Sequence, residues 1–494
     1  MSLARAGKAT DAASQGFSLA DIFGDSMVLQ QGMPVRIWGR GPARRQITVS
    51  FSGQVARGTV DDTGVWAVEL MPLAASSVPA DLLVLCEDTI VVRNVLVGEV
   101  WHASGQSNMD CKMADCTSRL PEIGEILAEA DLSDIRYRAI NQPEADVPQS
   151  AIADGGAWLV STPATAAHFS AVAFLVARRL HAELNVPIGI IETAWGGHPI
   201  EPFIPESAFD GHPVLRRERE LAGQKDWDGL RSMVGGVWAR DDSWLPGTVY
   251  NSRIAPIVGH AIRGVLWYQA ESNCGEGEDP RFYCEKMKAL IRGWRAAWRR
   301  PDLPVYYVQL PQYTAPGWAP MRDEQRRAMY EPNTGMAVTI DLALDDIHPA
   351  NKLDVAERLA RWPLAQQYGK DVIVSGPLFK SMHVDGGKAV LTFEHVDGGL
   401  TTGRKVDLKP TQILSGLGVN GFEVAGADAV WHVAGAMIVE NQVVCSSGAV
   451  AQPAAVRYAY GQVVPKDKPW NLYNRARLPA SPFISHPEMA PYTP

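Results

Sequence analysis

The chain has 494 residues, 46% of them apolar and 20% charged, which suits a globular protein with core enough for about two to four domains. A formal net charge of −9 argues against nucleic acid or an anionic membrane as a main partner, because both select basic surfaces. No run of about 18 apolar residues is present to cross a bilayer.

The opening segment MSLARAGKATDAASQG is polar and alanine-rich and lacks the apolar stretch of a secretory signal. It fits a cytosolic start, or what remains after a signal is removed, which would place the protein in the periplasm or outside the cell. Residues 17–93 read as β: MVLQ, VRIWG, QITVSFSG, GVWAVEL and DLLVLC are short, alternate in polarity and are separated by Gly, Pro and Asp turns. At about 94 the texture changes to apolar strands alternating with amphipathic helices. The strand NVLVGEVWHA (94–103) comes first. The stretch SAVAFLVARRLHAELN then places Val172, Leu175, Val176, Leu180 and Leu184 on one helical face, and leads into the strand PIGIIETAW. Residues 205–250 are polar and Trp-rich with weak periodicity, and read as an insertion near the strand ends. The strand GVLWY (264–268) precedes a helix striped by Tyr283, Met287, Leu290, Ile291, Trp294 and Trp298, and VYYVQL and MAVTID supply two more strands. Five apolar strands with helices between them predict a three-layer α/β core around a mainly parallel five-stranded sheet over 94–370. From 371 to 494 the pattern is β again (KAVLTFEHV, GFEVAG, NQVVCSS, AVRYAYG), so β-rich regions flank the core at both ends.

Open α/β sheets bind ligands beyond the carboxyl ends of their strands. The residues there are Ser107 after the first strand, Gly196 and Gly197 with HPIE and Glu201 after the second, Gln269, Glu271 and Asn273 after GVLWY, and Asp345, Asp346 and His348 after MAVTID. Taken singly each is ordinary: a serine turn, a glycine turn, a surface carboxylate, a histidine capping a helix, and Asn108 as a helix cap. Taken together they supply the nucleophile, imidazole base, orienting acid and oxyanion donors that ester hydrolysis requires.

The motifs SGQSNM, WGGHPIE, LWYQAESN and DIHPANK resemble the blocks of the SGNH/GDSL hydrolase superfamily. Within it they are closest to the sialate O-acetylesterase-like carbohydrate acetylesterases, and the likeness covers most of residues 20–360. The resemblance implies a flavodoxin-like SGNH core that removes acetyl groups from sugar hydroxyls. It makes Ser107 the nucleophile and its N–H an oxyanion donor, with Gly196 and Gln269 as further donors, and His348 the base. For the acid it leaves Asp346, Asp345 and Glu271 as alternatives. Two departures stand out. His198 replaces a small hydroxyl residue after the double glycine, so His198 and Glu201 are candidates for substrate contact, or His198 is a bulky cleft wall. Ala270 replaces a glycine, which suggests a relaxed backbone there.

The match of SGLGVNG (415–421) to G-x-G-x-x-G is followed by a strand pattern, not the helix a pyrophosphate needs. There is no GxxxxGK[ST], no HExxH and no G-x-S-x-G elbow, so no cofactor or metal is expected. Six cysteines are too few for a disulfide scaffold. Cys111 with Cys116 and Cys274 with Cys284 are candidates for local bridges or isolated thiols. The partner is an acetylated oligosaccharide or polysaccharide, with plant cell-wall polysaccharide (xylan, xyloglucan) favoured over sialic acid because no arginine cluster flanks the motifs. The rival readings are an SGNH lipase or thioesterase, against which fifteen tryptophans suit sugar stacking better than an acyl tunnel, and a non-catalytic glycan-binding protein. Nothing in the chain indicates an oligomeric state.

Overall fold

The computed structural model describes residues 16–117, 119–235, 244–274, 279–342, 346–414, 418–461 and 469–489. Its central sheet is built from β1 (Thr89–Gly105), β2 (Leu132–Ala139), β3 (Leu159–Ser161), β4 (Ile188–Glu192), β5 (Gly264–Tyr268), β6 (Val305–Val308) and β7 (Thr334–Ala337). They lie in the order β3-β2-β4-β1-β5-β6-β7. All neighbours pair in parallel except the edge strand β3, which is antiparallel to β2. The parallel set therefore has six strands where the sequence predicts five. The additional one, β2, reads LSDIRYRA and hides behind its charges. Its arginines are nonetheless buried, and Arg138 is neutralised by Asp154 at 2.6 Å.

The helices that bear on the core, the site and the insertion are α1 (Ser107–Asp110), α2 (Met113–Thr117), α3 (Ala171–Leu184), α4 (Pro213–Gly223), α5 (Trp227–Val234), α6 (Tyr283–Trp298), α7 (Trp318–Ala328) and α8 (Lys352–Gln366); Pro121–Ala128 and Pro163–Ala166 are also helical. One face of the sheet packs Trp101, Ala103, Ile190 and Leu266 against Val176 and Leu180 of α3 and Leu359 of α8. The other packs Val265, Trp267 and Tyr307 against Leu290 and Trp294 of α6 and Met321 of α7. Burial on both faces is why these strands are continuous apolar runs. Helix α3 starts where the Ser170 hydroxyl accepts the Ala173 N–H at 3.1 Å and ends at Asn185, left-handed with φ 53°. The polar segment 205–250 holds two short helices, α4 and α5, where the sequence shows weak periodicity.

The N-terminal half of β1 also carries strands of the preceding region: Ser76–Leu85 pairs with it antiparallel and Val28–Gln30 in parallel. The chain thus runs into the core without leaving the sheet at residue 93. Beyond α8, residues 378–484 form three antiparallel sheets around an apolar cluster of their own, including Leu391, Phe422, Val456 and Phe483. The first three residues of SGLGVNG lie outside the described residues, and the strand that follows is Phe422–Ala425. No helix among the described residues is long and apolar enough to cross a membrane.

Candidate active site

Four strand ends, β1, β4, β5 and β7, open on the same edge of the sheet. At the first, Gly105 has φ 136°, and a Cβ there would lie 2.0 Å from the Tyr268 carbonyl oxygen of β5. Glycine is required for that approach. The next N–H, of Gln106, donates to the same carbonyl at 2.9 Å. The turn delivers Ser107 as the first residue of α1. Its hydroxyl lies 2.8 Å from Nε2 of His348, and both side chains are half-buried. Burial foremost, then the Lys352 ammonium, holds the imidazole below the ordinary histidine range, while Asp346 opposes them.

Gly196 sits across the cleft, and a Cβ on it would lie 3.7 Å from that of Ser107. The loop is fixed by the Trp195 N–H, which donates to the Gly105 carbonyl at 2.9 Å. Among the described residues neither the Ser107 N–H nor the Gly196 N–H has an acceptor. Two main-chain donors close to the serine are therefore unengaged, and an acyl-transfer oxyanion requires donors of this kind.

The other expected residues fall differently. Gln269 is fully buried. Its amide nitrogen donates to Asn273 at 2.8 Å and Gln106 at 3.0 Å, and its oxygen accepts from the Tyr283 hydroxyl at 2.8 Å. An amide so occupied is turned into the core and away from the serine. Glu201 is also fully buried, bonded to Asn273 at 3.0 Å and ion-paired with Lys286, and so offers no face to a substrate. His198 lies in an aromatic wall with its ring 4.6 Å from Trp195 and 6.5 Å from Phe203, and its Nδ1 meets the Gly196 carbonyl at 3.2 Å. Its Nε2 lies 3.4 Å from Glu144, and the buried, ring-flanked position favours the wall of the two readings. Ala270 has φ 152°, so the backbone keeps a conformation that favours glycine and is not relaxed.

The acids divide likewise. Asp346 accepts the His348 main-chain N–H at 2.7 Å and pairs with Arg119, whose Nη1 donates to the His348 carbonyl at 2.7 Å. Glu271 accepts from Asn108 at 2.5 Å, and burial raises its carboxyl above the usual range. Among the described residues, no group bonds Nδ1 of His348. Asp345 lies outside them. Asn108, read from sequence as a cap, is instead a hub: its Nδ2 also donates to the Ile347 carbonyl at 2.9 Å, and its Oδ1 accepts from buried Lys352. The clue lay in DIHPANK, where the lysine follows His348 by four residues and opens the next helix.

All six cysteines are thiols. Cys111 and Cys116 approach to 3.5 Å, and that hydrogen bond holds the Cys111 thiol below the ordinary range. Trp66, Trp101, Trp267, Trp294 and Trp318 are fully buried, so much of the tryptophan content is core. Trp195, next to Gly196, is half-buried.

Comparison with known proteins gives the family. The family model "Carbohydrate esterase, sialic acid-specific acetylesterase" matches residues 97–362. The sialate O-acetylesterase of Rattus norvegicus is 28% identical over 428 residues, 75% of this chain and 77% of the relative. That of Homo sapiens is 28% identical over 421 residues, 77% of each. The crystal structure of a carbohydrate acetylesterase from Xanthomonas citri superimposes with a TM-score of 0.81 at 34% identity, covering 95% of this chain and 99% of that one.

Proposed function

Because the chain belongs to the sialic acid-specific acetylesterase family of carbohydrate esterases, and is an acetylesterase, we propose that it deacetylates sugar hydroxyls through an acyl-enzyme on Ser107, on an SGNH-type core. The observation that carries this reading is the 2.8 Å contact between the Ser107 hydroxyl and His348 Nε2 beside two unoccupied main-chain N–H groups. As Oγ attacks the acetyl carbonyl, its proton passes to Nε2. The oxyanion takes the N–H groups of Ser107 and Gly196, and the intermediate collapses to acetyl-Ser107 as the imidazolium protonates the departing sugar oxygen. Water, deprotonated by His348, then releases acetate. Asp346 supplies the imidazolium's counter-charge through space while holding the residue by its main chain.

The favoured substrate is an acetylated neutral polysaccharide of the plant cell wall, such as xyloglucan or xylan, over a sialic acid. Sialate recognition calls for a cation with a free hydrogen-bonding face, and the described cations around the site are bonded to protein groups, Lys352 to Asn108 among them. Lys112 lies 2.7 Å from Asp110 and 3.2 Å from Glu192, Arg119 is bound to Asp346, and Arg253 donates to the carbonyls of Ala194 and Gln142 at 2.7 and 3.0 Å.

Acetate release from a panel of acetylated glycans tests the substrate, and greater release from acetylated sialic acid than from xyloglucan or xylan rejects the preference. Ser107→Ala and His348→Ala are each expected to lower kcat by about 10⁴-fold or more, and the double variant to lose little beyond either single. A Ser107→Ala enzyme that keeps its activity rejects the mechanism.

A further inference from the structure

We propose that Asn108 is the positioning residue of this site, a bracket between the nucleophile's helix and the loop that carries the base; the proposal rests on the reading of Ser107 and His348 given above.

Asn108 follows Ser107 in α1, so its side chain leaves the same rigid turn. It is fully buried. Its partners fix which way the amide faces: Lys352 can only donate, while the Glu271 carboxylate and the Ile347 carbonyl can only accept. A flipped amide would set its oxygen against two acceptors and its nitrogen against an ammonium. Both amide hydrogens are spent, one of them on the carbonyl immediately before His348.

The loop is otherwise held at His348 itself, on the N–H by Asp346 and on the carbonyl by Arg119. Those two side chains are about 40% exposed, and water competes for such contacts. The Asn108 bond has a fully buried donor on a half-buried carbonyl, and it joins the loop to the turn that bears Ser107. A shift of His348 away from the serine hydroxyl therefore has to break this bond and leave a buried amide hydrogen unpaired.

The flanking charges make the bracket stiff. Glu271, at the end of β5, and Lys352, at the start of α8, lie on opposite sides of one amide. Asn108 thus spans three strand ends: β1 through its own turn, β5 through Glu271, and the loop after β7 through Ile347 and Lys352. Glu271, the acid candidate from the third motif, acts on the imidazole through this amide and not by contact.

Displacement of a reacting group by about 1 Å costs on the order of 10²-fold in rate. Asn108→Ala is therefore expected to lower kcat by about 10²-fold on a small acetyl ester, with KM little changed. Since the residue acts through His348, Asn108→Ala/His348→Ala is expected to be no slower than His348→Ala. A purely structural residue would instead reduce both backgrounds by the same factor, through the fraction folded. Asn108→Asp keeps the size and the acceptor for Lys352 but faces Glu271 and Ile347 with oxygen, so it is expected to lose as much. It serves if the alanine variant does not fold. Folded Asn108→Ala or Asn108→Asp protein with wild-type kcat, a loss confined to KM, or equal losses in the two His348 backgrounds overturns the proposal. A Ser107→Ala enzyme that retains activity rejects the catalytic reading instead.

Discussion

Three charged side chains set the protonation of His348 from three elements: Lys352 of α8, Asp346 of its own loop, and Arg119 after α2. Burial, Lys352 and Arg119 disfavour the imidazolium, and Asp346 favours it. A lowered imidazole pKa keeps the neutral base available further into acid, so the acid limb of kcat/KM is expected below the ordinary histidine value of about 6.5. Lys352→Met should move that limb up and Asp346→Asn should move it down. Unmoved limbs in both variants would show that another group titrates there. Asp346→Asn should also lower kcat by on the order of 10²-fold. That is less than the about 10⁴-fold typical where the carboxylate holds the ring itself, because here it holds the main chain. The serine, the glycine and the histidine were legible in sequence because motif order and strand-end placement determine them. Gln269 and Glu201 were not, because a one-dimensional pattern gives position along the chain and not the direction a side chain takes. Both turn inward, where Asn273 and its neighbours satisfy them.

Elements follow the same division. The helix over 171–184 declares itself by an apolar stripe, a serine cap and a left-handed asparagine, all of them local. Strand β2 does not, because it buries two arginines, and Arg138 is made tolerable by Asp154, a partner from another segment. The turn after β5 shows a subtler failure. Alanine at 270 suggested an easier backbone, yet φ stays at 152° because the strand end and the Glu271–Asn273 turn dictate the path. An L-residue held in such a region costs on the order of 1–3 kcal/mol. Ala270→Gly is expected to relieve part of this, raising unfolding stability by about 1 kcal/mol after the added freedom of the unfolded chain is counted. Equal or lower stability in denaturant titration would mean that the turn accommodates the methyl group without strain.

At the scale of the molecule, buried charge links the insertion to the core. Lys286 of α6 pairs with Glu201 beside the double-glycine loop and lies 2.8 Å from Glu218 of α4. Lys286→Met would strand the buried Glu201 carboxylate and remove the cation beside Glu218, and is expected to cost about 3–5 kcal/mol, read as a lowered denaturation midpoint. Burial lifts the Glu218 carboxyl from its ordinary value to about 7. Its protonated form therefore favours the fold below about pH 4.5, and this contribution fades as pH rises through about 7. The change in texture near residue 94 was plain in sequence, and the ladder shifts register there around Asn94, but the strand itself continues. Strand β1 runs from Thr89 to Gly105, with its first half in the N-terminal sheet and its second half leading to the turn that bears Ser107. A break at the visible boundary would leave Ser107 on a central strand stripped of its lead-in and of the partners that lead-in pairs with. The N-terminal region is therefore no cassette. A recombination event joining this core to a foreign leader at residue 93 would have to recreate half a strand in register, so the two parts are bound to be inherited together.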